Sequence, residues 1–139
     1  MKDTEALSNK EAKAFIAYIL YKLGCLHPFK LSRLLALAEI ESVKRRGRRL
    51  TNLKYVPGPG SFYIEGIKEL FDDKCFEKRE GDPRKGIKGC VRYICEPPKL
   101  PDDVAGILDY VIERYGSEDE FKLNDMVVNS DEFKRLLVG

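Results

Sequence analysis

Glutamine is absent from this 139-residue chain, histidine occurs once, and no apolar run approaches the length of a bilayer. The longest such run, residues 14–21, falls far short of the roughly 20 residues a spanning helix needs, so no membrane partner is expected. The first 13 residues lack the apolar centre of a signal peptide, and a cytoplasmic protein is the expectation. With His27 as the single imidazole, a Ser-His-Asp or Cys-His relay has one available base. That base stands beside Pro28 with no nucleophile motif near it. Cysteines 25, 75, 90 and 95 form no C-x-x-C pair, and their spacing fits no common zinc site. The glycines of "PGPGSF" are not followed by the Gly-Lys-Ser/Thr of a phosphate loop, and the prolines among them remove amides that would hold phosphate. No cofactor, no metal and no enzymatic activity are therefore expected. Four asparagines and no glutamine, beside a charged fraction of 35%, point to a thermophilic source. In such a cytosol disulfides are a real exception to the reduced rule.

What is present fits one domain, residues 1–139, with a single core. The formal net charge of +2 hides a strong asymmetry. Residues 44–92 hold 14 Lys and Arg against 7 Asp and Glu, an excess of +7. Residues 93–139 hold 5 against 11, an excess of −6. A dipolar molecule of this kind favours head-to-tail homo-oligomers or a charged partner.

The pattern along the chain predicts a mainly α domain of the α+β class, compact, with about five helices and a small antiparallel hairpin. Ser8-Asn9-Lys10-Glu11 has the form of a capping box ahead of Phe15, Ile16, Ile19, Leu20 and Leu23 at helical spacing, and Gly24 offers a stop. A second helix carries Leu31, Leu34, Leu35 and Ala38 on one face, widened by Leu37 and Ile40, so it is expected to be central. Lys44, Arg45 and Arg46 complement the dipole of its last turn before Gly47. A short strand is expected through Leu50, Leu53 and Tyr55, ended by Pro57 and Pro59, with a third helix from Ser61 through Ile64, Ile67, Leu70 and Phe71.

Residues 75–79 and 87–95 read as strands around a turn at Gly81, Asp82 and Pro83. A hairpin centred between Asp82 and Pro83 sets Cys75 opposite Cys90 and allows a cross-strand disulfide; a longer loop shifts the register and removes it. Residues 96–101 form a stiff link. Asp102 or Asp103 caps the next helix, through Val104, Ile107, Leu108, Val111 and Ile112. Ser117-Glu118-Asp119-Glu120 is a second capping box before Phe121, Leu123, Met126, Val127, Phe133, Leu136 and Leu137.

The basic middle has two readings. Arg45, Arg46, Arg48 and Arg49 can join Lys78, Arg79, Arg84, Lys85 and Lys88 as a winged helix-turn-helix gripping DNA phosphates with its hairpin. Alternatively these residues cap a helix, solubilise a turn and protect an edge strand. Glu77 and Glu80 break up the wing's charge, and the preceding segment "SFYIEGIKELFDD" carries four acids that would repel DNA. The second reading is favoured.

The segments "FIAYILYKLG", "FKLSRLLALAEIES" and "RRGRRLTNLKYVPGPGSFYIEGIKEL" together resemble the SocA-like antitoxin domain, also called Panacea. Leu31, Leu34, Leu35, Leu37 and Ala38 stand on that family's leucine-rich helix; Gly47, Arg48, Leu50 and Thr51 on its "G-x-P-[IL]-T" segment; Tyr55 with Gly58 and Pro59 on its "Y-x-x-x-x-Y-G-P-V" turn. Residues 123–127 are similar to its final "L-S-x-L-[VT]-H" segment, and Ala36 replaces its first-motif tyrosine. The resemblance implies a helical domain with a small β element. It further implies a non-catalytic role, binding and neutralising a toxin encoded alongside. Arg45, Arg46, Arg48, Arg49, Tyr55, Gly58 and Pro59 are then the candidate partner-binding residues.

Overall fold

The leucine pattern of residues 31–40 finds its reason in the position of one helix. The computed structural model describes residues 2–138, with α1 spanning Lys2–Leu23 and α2 spanning Pro28–Arg46. Leu31, Leu34, Leu35, Ala36 and Ala38 of α2 have no exposed surface, because α1, α4 (Asp102–Tyr115) and α5 (Glu120–Val128) all pack on it. Each fully buried leucine stabilises the fold by roughly 1.5–3 kcal/mol of transfer free energy. The helix starts where His27 Nδ1 accepts the amide of Phe29 at 3.1 Å and Pro28 supplies a preset φ. It stops at Gly47, whose φ of 73° lets its amide reach the Val43 carbonyl.

Other boundaries differ from those the sequence pattern predicts. Helix α1 already runs from Lys2, so Ser8 lies inside it. Helix α4 starts after Pro101, with Asp102 and Asp103 in its first turn rather than at the cap. Asp119, not Ser117, caps α5 by accepting from the amides of Phe121 and Lys122. The chain closes with a π-helical turn, Phe133–Leu137.

The expected third helix is mostly strand. β1 (Tyr55–Gly58) pairs antiparallel with β2 (Ser61–Ile64), and only the single turn Ile67–Leu70, α3, is helical. Alternation explains it: Phe62 and Ile64 are buried while Tyr63 between them is exposed, a period of two rather than 3.6. β1 runs through Pro57 instead of ending there, since a two-stranded ladder leaves alternate amides unpaired. Gly60, at φ 64°, makes the reversal.

The second hairpin is β3 (Phe76–Arg79) with β4 (Cys90–Tyr93). Its register sets Arg79, not Cys75, opposite Cys90. The connection is longer than a turn centred between Asp82 and Pro83 allows. Asp82 caps a 3-10 turn at Pro83–Lys85 and pairs with Ile87, so the reversal is centred between Arg84 and Lys85. Gly81 is required there: a Cβ would lie 2.5 Å from the Ile87 carbonyl oxygen. The Cys75–Cys90 disulfide is accordingly replaced by two others, Cys25–Cys90 and Cys75–Cys95. The first follows from a short bridge in which Leu26 and Val91 exchange amide hydrogen bonds of 2.9 and 2.8 Å, bringing the end of α1 beside β4.

Candidate anion-binding cleft

The arginines at the end of α2 separate into two groups as the chain leaves the helix. Arg49 turns inward. Its Nε and Nη2 reach Glu39 Oε1 and Oε2 at 3.1 and 2.9 Å, and Nη2 also donates to the Leu53 carbonyl at 2.6 Å. Glu39 is wholly buried, and its Oε1 also accepts the Thr51 amide at 2.9 Å. Tyr55 lies in the same core under the Arg49 guanidinium, 5.2 Å from its ring centre. Burial pushes the Tyr55 phenol well above its ordinary pKa, with the Glu39 charge acting in the same direction. Arg49 and Tyr55 thus fasten residues 49–55 to α2, with Tyr55 buried and Arg49 partly exposed.

Arg45 stays on the surface, its Nε 2.8 Å from Glu41 Oε2 and its guanidinium over Tyr110 of α4. Gly58, the last residue of β1, and Pro59, in the β1–β2 turn, are both exposed. Arg46 and Arg48 are different. With Lys10 of α1 and Lys99 of the 96–101 link they edge a cleft of about 560 Å³ between α1, the end of α2 and the start of α4. Phe15, Leu50 and Val104 supply buried apolar walls. Among the described residues Glu11 and Asp103 are the acids that line it, so the four cations leave an excess of two positive charges. Arg46 Nε lies 3.4 Å from Asp103 Oδ2, yet Nε and Nη1 are shielded from solvent and neither makes a hydrogen bond. Chemically, this is a cationic rim on an apolar floor, suited to hold an anion with an apolar body.

The second set of basic residues is dispersed by local pairing. Lys78 lies 3.4 Å from Asp72, Arg79 lies 3.6 Å from Glu77, and Lys88 pairs with Glu120. Arg84 and Lys85 stand exposed in the 3-10 turn with no ion pair among the described residues. His27 is occupied as the α2 cap. Among the described residues no group of three His, Cys, Asp or Glu could hold a metal ion, and no helix is long and apolar enough to cross a membrane.

One buried cation goes unread in the sequence. Arg33 of α2 is almost fully buried, with its guanidinium 3.7 Å from the ring centre of Phe29 and 4.0 Å from that of Phe62. It donates to Asn124 Oδ1, Ser61 Oγ, Ser32 Oγ and the Phe62 carbonyl, all within 3.1 Å. Desolvation lowers its pKa to about 10, and the more distant Glu120 carboxylate opposes the shift. The available signal is a charge on an otherwise leucine-filled face. No family model, no curated protein and no solved structure matches this chain.

Proposed function

We propose that the chain is a non-catalytic protein-binding module of the antitoxin type, working in the cytoplasm by covering a surface of its partner. The observation that carries this reading is the cleft at the end of α2, where neither Nε nor Nη1 of Arg46 makes a hydrogen bond and Arg48 and Lys99 remain exposed. Unspent cations around an apolar floor offer what a protein interface uses: a desolvated anchor with a charged rim. The motif resemblance supplies the partner class, a toxin encoded beside the chain.

Co-expression with the product of the neighbouring gene tests it. The neighbour alone is expected to arrest growth, and this chain to relieve the arrest through an isolable complex. Substituting Arg46→Glu together with Arg48→Glu is expected to abolish both relief and complex. A harmless neighbour that forms no complex overturns the reading. DNA binding is the second reading, favoured only by the unpaired Arg84 and Lys85 at the hairpin tip. It requires affinity for random duplex DNA that falls steeply with salt.

A further inference from the structure

We infer that the cleft takes an acidic peptide segment of the partner in which an apolar side chain neighbours a carboxylate. This rests on the partner-binding reading and names the chemistry of the segment bound. Charge complementarity chooses the occupant. Lys10, Arg46, Arg48 and Lys99 face Glu11 and Asp103, so a bound carboxylate brings the lining closer to neutrality. The apolar floor decides between anions. Nucleic acid needs cations set along a backbone track, with its bases free to stack or pair. Here the cations share the lining with Phe15, Leu50 and Val104, and a cleft of about 560 Å³ accommodates one or two side chains.

Asp103 gives the inference its sharpest form. Its carboxylate is the present neighbour of the Arg46 Nε, at 3.4 Å, and the side chain is 56% exposed. A peptide carboxylate arriving at Arg46 competes with it. Asp103 therefore acts as an internal stand-in for the ligand, and its neutralisation should strengthen binding rather than weaken it.

The probe is a fluorescein-labelled pentapeptide alternating leucine and aspartate, followed by fluorescence anisotropy on the full chain. Two control peptides carry asparagine for aspartate, or serine for leucine. Each control is expected to bind about tenfold more weakly or worse, since loss of charge or of apolar contact is worth about that factor. Asp103→Asn should tighten binding about threefold to tenfold, and about 0.5 M salt should weaken it. Arg46→Ala should lose binding. Because that change also removes a clip between α2 and α4, the exposed pair Arg48→Ser with Lys99→Ser provides the independent check. It should weaken binding at least fivefold with thermal stability unchanged. Equal binding of the asparagine peptide, weaker binding by Asp103→Asn, or displacement of the peptide by short duplex DNA overturns the inference. Peptide capture by a chain that fails to neutralise its neighbour removes the antitoxin reading alone. Neutralisation indifferent to Arg46 and Arg48, with no peptide bound, removes the ligand class alone.

Discussion

Hairpin β1–β2 meets the helical body through Phe62, whose ring lies 5.0 Å from that of Phe133, and through Asn124 Nδ2, which donates to the Gly60 carbonyl at 2.9 Å. Hairpin β3–β4 meets it through the Cys25–Cys90 disulfide and the Leu26–Val91 bridge, and Cys75–Cys95 closes its own base. The apolar content of the two segments accounts for the difference. Residues 50–64 bury Leu50, Leu53, Tyr55, Phe62 and Ile64, whereas the longer stretch 65–98 buries only Leu70, Phe71, Phe76 and Val91. Where little apolar surface leaves water, a cross-link that restricts the unfolded chain takes its place. The fold therefore has one hairpin held by packing and polar contacts and one held by covalent bonds.

The comparison breaks most completely at Glu39. Replacing it by Ala removes the carboxylate that binds Arg49 and the Thr51 amide, leaving a largely buried cation and a buried donor without partners. A loss of about 3–5 kcal/mol is expected, read as a lower urea midpoint at unchanged slope. Because residues 49–55 feed β1, amide exchange should rise in the β1–β2 hairpin. A loss under about 1 kcal/mol would show that the Glu39–Arg49 pair does not hold this segment.

The disulfides come next. By loop entropy, the Cys25–Cys90 bridge, 65 residues apart in sequence, contributes about 4 kcal/mol and Cys75–Cys95, 20 apart, about 3. The loops overlap, so the two values do not add. The paired substitution Cys25→Ser with Cys90→Ser should let the β3–β4 amides exchange before those of β1–β2, reversing only if packing alone fixes the second hairpin. A Cys75–Cys90 bond after oxidative refolding would restore the shorter-loop register and contradict the observed one.

Much of this architecture is legible in the amino-acid sequence. The central position of α2 follows from leucines too frequent for one face, and its stop from three cations and a glycine. The α+β class, with five α-helices among the described residues, is as expected. What escapes a sequence reading is set by long-range pairing. Residues 61–64 carry alternation too short to separate from a helical start, and the register of β3–β4 depends on a 3-10 turn signalled only by Asp82 and Pro83. The charge dipole is visible in the sequence, but its folding back is not. Lys44 lies near Glu132 at 3.8 Å, Arg46 near Asp103, and Lys88 on Glu120, so the acidic end meets the basic middle within one chain. Among the described residues, Arg48 and Lys99 of the cleft take part in no such ion pair. The basic residues split by reach: Arg49 lies close enough to a buried acid to enter the core, and nothing in its local sequence separates it from Arg48.

Arg33 sharpens the contrast between buried charges. Glu39 has a counter-charge in contact, while Arg33 has only neutral acceptors and two aromatic faces. Its desolvation is therefore less completely offset. Arg33→Met keeps the volume between Phe29 and Phe62 and removes the charge, and stability should change by no more than about 1 kcal/mol. A loss as large as that of Glu39→Ala would mean that the four acceptors, rather than the stacked rings, secure α5 and β2 to α2.

The smallest expected effect tests the joint between α1 and α4. Tyr18 of α1 donates to Asp109 Oδ1 of α4 at 2.6 Å, and its phenol is pushed up to about 12, first by burial and then by the bond to Asp109. A group whose pKa is raised on folding stabilises the fold fully below its unfolded value, near 10 for tyrosine. That contribution disappears as pH climbs through the folded value. The stability gap between the parent and Tyr18→Phe should then be about 1 kcal/mol at pH near 8 and fall steadily once pH rises above about 10. Differencing against Tyr18→Phe cancels the titration of lysines and the other tyrosines, which both proteins share. A gap that stays constant across that range would assign the contribution of Tyr18 to ring packing instead of to its proton.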